Sequence, residues 1–185
     1  MSNFFWKAWS VVYYSHRFKS FGARTWIRNP LVIKLARQIS IGRNSFIRDG
    51  ARLEIVNRPG VAPGRLTIGD RVSIEQDVHI IACCSVTIDD DVLIAARCTI
   101  VDATHPVGIH DSGNRARHFS TEISFVHIGK RVFLGVGVVV LANVRIGDNS
   151  IIGANSVVTR DIPPNSVAIG SPARVIRTLT GDEAS

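Results

Sequence analysis

Aliphatic residues recur at every sixth position along most of the chain. The series Ile41, Ile47, Leu53 resumes at Ile68, Ile74, Ile80 and slips by two residues to Ile88, Ile94, Ile100. It returns at Ile128, Leu134, Val140, Ile146, Ile152, Val158, so that all fifteen positions are Ile, Leu or Val. An amphipathic helix repeats about every 3.6 residues and a half-buried strand every second residue. A period of six fits neither. It predicts a coil with three short strands per turn, each strand placing one aliphatic side chain inside.

The residues between agree with that geometry. The fourth position of each hexad must turn a corner, and it is Asn44, Gly50, Asp77, Asp91, Gly137, Asn143, Asn149 and Asn155 in eight of the fifteen. These residue types best tolerate positive φ. The fifth position is small or β-branched, from Ser45 and Ala51 through Val72, Val78, Cys84, Val92 and Cys98 to Ser150 and Ser156, which suits a narrow corner leading into a strand. Five segments also repeat apolar-x-Ile-Gly/Asp (Ile39–Gly42, Leu66–Gly69, Val86–Asp89, Val126–Gly129, Val144–Gly147) and mark where successive coils begin.

The pattern divides the chain into a cap at 1–24, a rod at 25–169 and a tail at 170–185. Ile27, Ile33 and Ile39 have the spacing of a rudimentary first coil. Residues 57–65, with Pro59, Gly60, Pro63 and Gly64, read as a surface loop. A longer polar loop, 106–125, lacks the hexad, and a loop of that length inside a compact fold is usually functional or disordered. The tail is expected to leave the rod at Ser171-Pro172-Ala173-Arg174. The cap reads as a short helix, aromatic and basic, with Phe4, Phe5, Trp6, Trp9, Tyr13 and Tyr14 among Lys7, His16, Arg17 and Lys19. Packing on the open end of the rod or on a neighbouring subunit is its first reading. Peripheral membrane contact is its second.

Composition narrows the function. The formal net charge is +7, which suits an anionic ligand. No aromatic-rich basic stripe and no groove-reading helix accompany it, so nucleic acid is not expected as a partner. Three cysteines, Cys83, Cys84 and Cys98, are an odd number without metal spacing and read as reduced structural thiols, Cys84 and Cys98 at core corners. No stretch is long enough to span a bilayer, and no cleavage site follows the aromatic segment. The expected location is cytoplasmic, with the inner face of the membrane as the alternative.

Three stretches carry a family resemblance: Val86-Thr87-Ile88 through His105-Pro106, Val144-Arg145-Ile146-Gly147-Asp148 through Pro163-Pro164-Asn165, and Gly170-Ser171-Pro172-Ala173-Arg174-Val175-Ile176-Arg177. On these the chain resembles the hexapeptide acyltransferases, especially the galactoside and maltose acetyltransferase branch and the related polysaccharide O-acetyltransferases. The resemblance implies a left-handed parallel β-helix, although crossovers are usually right-handed. It implies a homotrimer with each site shared by two subunits, acetyl-coenzyme A as acyl donor, and a sugar or glycan as acceptor. No metal is expected.

In that family a histidine followed by proline is the general base, which here is His105. Imidazole titrates near neutrality and can take a proton from an attacking hydroxyl. Carried over position by position, the coenzyme A site falls on Phe133, Val136, Ala154, Thr159, Arg160, Arg174 and Arg177. Phe133 stands where the family usually has Trp, and Arg160 replaces the commoner Lys. The three arginines suit phosphate because a guanidinium meets phosphate oxygens with fixed geometry. The acceptor side falls on Glu75, Cys83, Asp102 and Glu122. Galactoside-type members carry Asn at the first of these and Asp at the second, so the acceptor is expected to differ from a simple galactoside. Three alternatives stand beside this reading. They are N-acetylation of an amino sugar, a metal enzyme of the gamma-class carbonic anhydrase type built on His79, His105 and His110, and a non-catalytic scaffold.

Overall fold

A computed structural model describes residues 10–58, 62–103 and 123–180. The period of six becomes a triangular rod, a left-handed parallel β-helix. Up to the last two strands, consecutive strands belong to different faces, and each pairs in parallel with the strand one turn later. The first face runs through Ser20–Phe21, Ile39–Ile41, Arg65–Ile68, Ser85–Ile88, Phe125–Ile128 and Val144–Ile146. The second runs through Trp26–Ile27, Phe46–Ile47, Ser73–Ile74, Leu93–Ile94, Phe133–Leu134, Ile151–Ile152 and Ser166–Gly170, and ends on Ala173–Thr178. The third holds Val32–Lys34, Arg52–Ile55, His79–Ala82, Thr99–Val101, Val139–Val140 and Val157–Val158.

Each inward aliphatic stacks on its counterpart in the next coil. Ile41, Ile68, Ile88, Ile128 and Ile146 share one column. Ile47, Ile74, Ile94, Leu134 and Ile152 form the second, and Leu53, Ile80, Ile100, Val140 and Val158 the third. All fifteen are buried. Burying a side chain of this size contributes about 1.5–3 kcal/mol, so the columns are the main source of cohesion.

The corners follow the residue types. All eight Asn, Asp and Gly positions adopt positive φ, between 54° and 74°. Arg71, Arg97 and Arg131 occupy equivalent corners in the same conformation. Two of these arginines reach the next coil: Arg71 Nη2 donates to Asp91 Oδ2 at 2.7 Å, and Arg131 Nε donates to Asn149 Oδ1. Adjacent coils approach so closely at Gly42 that a Cβ there would meet Asp70 Oδ1 at 2.4 Å.

Several details refine or correct the pattern as read. The first coil already includes Ser20–Phe21, paired with Ser40–Ile41; Phe21 holds the sixth position before Ile27 but is aromatic, so an aliphatic count passes over it. Ile39 opens the second coil, as the segment Ile39–Gly42 marks, and so does not belong to a first coil with Ile27 and Ile33. The slip after Ile80 is a longer strand, His79–Ala82, in which Ala82 also turns inward. Cys83 is therefore buried and Cys84 half-buried, the reverse of a core-corner role for Cys84, whereas Cys98 is buried at its corner. The tail does not leave the rod: Ala173–Thr178 folds back antiparallel on Ser166–Gly170 and extends the second face.

At the other end, residues 10–15 are helical. Tyr14 and Phe18 are buried with the core, and the Ile27 N–H donates to Ser10 Oγ at 2.8 Å. The cap therefore plugs the open end of the first coil.

Candidate active site

The residues singled out for coenzyme A do not fall on one line. Along the outward side of the second face, Leu93, Phe133, Ile151, Val167 and Arg177 stand in register. At about 4.8 Å per strand, Phe133 and Arg177 lie about 14 Å apart along this row. Phe133 is 38% exposed. Val136 and Ala154 occupy neighbouring coils at the corner where the second face meets the third, where the Asn155 N–H donates to the Val136 carbonyl at 2.8 Å. Arg174 pairs with Ile169 on the same last strand and is exposed. The second face and its corner thus bring together an exposed apolar stretch, Phe133, Val136 and Ala154, and two arginines. Thr159 and Arg160 follow the last strand of the third face and lie at its far edge, both exposed. Arg160 makes no ion pair among the described residues.

On the acceptor side the structure separates the candidates. Glu75 precedes the third-face strand His79–Ala82 and pairs with Arg48, Nε to Oε2 at 2.9 Å. Cys83 and Asp102 lie at the opposite end of that face. Both are buried. The Asp102 carboxylate accepts main-chain N–H groups of Cys83, Cys84 and Ser85, the last two at 2.8 and 2.6 Å. Its oxygens are engaged in holding the turn between two coils. Burial pushes the Cys83 thiol up to about 12, with the Asp102 charge adding to the effect, so Cys83 is a neutral packing group.

Sequence reasoning missed the companions of this cluster. Arg58 Nη2 donates to Cys84 Sγ at 2.9 Å, and Ser124 Oγ lies 3.4 Å from the same sulfur. Arg58 is only 7% exposed. Its place in a Pro- and Gly-rich loop gave no sign of burial. Asp102 stands just before the long loop and Ser124 at its return, so the cluster forms the loop's foot. His105, Glu122 and His110 lie outside the described residues. His79, the remaining histidine of the zinc alternative, stands between Arg52 and Thr99 on the third face. Among the described residues no group of three His, Cys, Asp or Glu is placed to hold a metal ion.

Residues 125–160 match the family model of the bacterial transferase hexapeptide (six repeats). The galactoside O-acetyltransferase of Escherichia coli K12 is 37% identical over 88% of this chain, and the chain spans 64% of that enzyme's length. A protein of the same organism named as the lipopolysaccharide biosynthesis O-acetyl transferase WbbJ is 36% identical over 82% of this chain and 77% of its own. Among solved structures, a galactoside acetyltransferase in complex with coenzyme A superimposes with a TM-score of 0.62 at 33% identity, covering 90% of this chain and 68% of that one.

Proposed function

The chain belongs to the bacterial hexapeptide transferases, and from that membership we propose that it transfers an acetyl group from acetyl-coenzyme A to a sugar hydroxyl within a surface polysaccharide or lipopolysaccharide. His105 acts as general base. It takes the hydroxyl proton as the acceptor oxygen attacks the acetyl carbonyl, and the tetrahedral intermediate expels the coenzyme A thiolate, which receives the proton back from the imidazolium. No covalent enzyme intermediate is needed.

The observation that carries this reading is the register of Phe133 with Arg177 across the second face, beside the exposed Val136 and Ala154. An extended donor could lay its pantetheine arm along the apolar part of the row and its phosphates against Arg174 and Arg177, with Arg160 supplied at the far edge of the third face. A lone rod offers only open faces for this. Glu75 and the foot of the loop, at opposite ends of the third face, converge only across a boundary between copies. A homotrimer with sites shared between neighbouring rods satisfies both demands.

The test is release of free thiol from acetyl-coenzyme A in the presence of a glycan panel, with light scattering for the oligomer. The wild type is expected to be trimeric and acceptor-dependent. His105→Ala is expected to keep the trimer and lose turnover by roughly 10²- to 10⁴-fold. A folded variant with near-normal turnover, or a monomeric active enzyme, overturns the reading.

A further inference from the structure

Residues 1–48 contain nine Lys and Arg and not one Asp or Glu, while the rest of the chain holds 13 Lys and Arg against 15 acids. The whole positive excess is therefore carried by the first two coils and the cap. Arg28, Lys34, Arg43 and Arg48 are answered by Asp49, Glu54, Asp70 and Glu75. Arg17, Lys19, Arg24 and Arg37 are exposed and make no ion pair among the described residues. Arg17 donates to the hydroxyl of Tyr13 and sits over its ring.

Apolar side chains project from the same end. The cap buries Tyr14 and Phe18 yet leaves Val11, Val12 and Tyr13 outside, Val12 at 70% exposure, and Leu31 at 65% stands on the first coil. Leu35 is exposed at φ 55°, a conformation that favours Gly or Asn, so its side chain is not there to serve the turn. A groove of about 300 Å³ joins Tyr13, Arg17, Pro30 and Leu35. A second, of about 380 Å³, continues past Arg17 to His16, Arg37 and Asn57. Exposed aliphatics concentrated at one end of the rod, beside these grooves, mark a docking surface.

We propose that the N-terminal end of the rod docks on an anionic lipid bilayer. Val11, Val12, Tyr13, Leu31 and Leu35 enter the interface, while Arg17, Lys19, Arg24 and Arg37 meet the phosphates. A nucleic acid would use the cations but not the protruding aliphatics, and a second copy of this end would bring like charges together. A charged bilayer surface answers both features. The contact does not depend on the transfer reaction, and it would hold the enzyme where lipid-linked glycans are presented.

The full chain is tested by flotation with phosphatidylcholine vesicles and with mixed phosphatidylcholine–phosphatidylglycerol vesicles over a salt series. The wild type is expected to float with the mixed vesicles at low salt and not with phosphatidylcholine alone. Arg17→Gln with Arg24→Gln and Arg37→Gln, all exposed, should lower partitioning by about a hundredfold, at roughly fivefold per charge. Val12→Ser with Leu31→Ser should lower it as well, with melting temperature and oligomeric state unchanged. Absence of wild-type flotation overturns the proposal. So does flotation indifferent to both sets of changes, or a duplex DNA that strips the protein from vesicles while the Val12/Leu31 variant binds that DNA as wild type does. A change of oligomeric state in that variant would assign the apolar patch to a second copy and overturn it equally.

Discussion

The carboxylate of Asp102 accepts the main-chain N–H of Cys84 at 2.8 Å, across the turn that joins one coil to the next. With Cys83 and Ser85 also donating to it, one buried side chain satisfies three successive backbone donors three residues before His105. Asp102→Ala strands all three, and an orphaned buried donor costs about 1–3 kcal/mol. Unfolding free energy is expected to fall by about 3 kcal/mol or more, read by urea denaturation. Asp102→Asn offers one oxygen where two are used and turns an N–H₂ toward N–H donors, so it should recover little. A variant as stable as the wild type would show that the turn holds without the carboxylate.

Under the proposed function, the arginines of the last strand bear on the donor and not on the chemical step. Arg174→Gln and Arg177→Gln are each expected to raise KM for acetyl-coenzyme A by roughly five- to fiftyfold with kcat nearly unchanged, as loss of a charge-assisted contact made equally in ground and transition states requires. Arg160→Gln tests whether the far edge of the third face shares the same donor. Steady-state kinetics with varied acetyl-coenzyme A reads all three. If KM stays constant while kcat falls, the arginines serve the reaction in another way.

Local rules that repeat were legible in the sequence, and long-range ones were not. A strand needs an inward aliphatic such as Ile94 and a corner needs Asn155 or Gly137, and each position declares itself through residue type and spacing. Phe21 satisfied the spacing with an aromatic ring and was passed over. Arg58 stayed hidden because its partner Cys84 is 26 residues away and its own segment looks like solvent-exposed loop. The tail was misread for a related reason: Val175 and Ile176 are exposed, and antiparallel pairing with Ser166–Gly170 leaves no hexad mark. On the site, the register that aligns Phe133 with Arg177 needs the coil count between them, which only the folded chain supplies.

Glu54 gives a pH signature. Burial alone would lift its carboxyl, but hydrogen bonds and charge from Lys34 and Arg52 outweigh that and hold it below the usual carboxylate value. A depressed folded pKa contributes stability that is present above the unfolded value, about 4.3, and is lost as pH falls through the folded one. Glu54→Gln should therefore cost about 1 kcal/mol at neutral pH, since Lys34 is partly solvated and screened. The gap from wild type should close at more acidic pH, where both side chains are neutral. Denaturation midpoints measured from neutral to acidic pH read the difference. A constant gap would mean that packing, not charge, is what the substitution removes.

Leu93 and Ile94 are adjacent in sequence and opposite in role. Ile94 is fully buried in the second column, whereas Leu93 is 41% exposed on the outward row that leads through Phe133. Ile94→Ala opens a cavity between coils that are locked above and below by Ile74 and Leu134 and cannot collapse into it, so a loss of about 3–5 kcal/mol is expected. Leu93→Ala leaves no internal void and should shift unfolding of the single rod by less than about 1 kcal/mol. If parallel rods meet on the second face, however, the same substitution removes apolar area from their contact and should favour dissociation. Paired denaturation and sedimentation measurements separate the two effects. Equal destabilisation of the two variants would overturn the assignment of alternate residues to inside and outside. An unchanged oligomer with Leu93→Ala would place the contact between rods on another face.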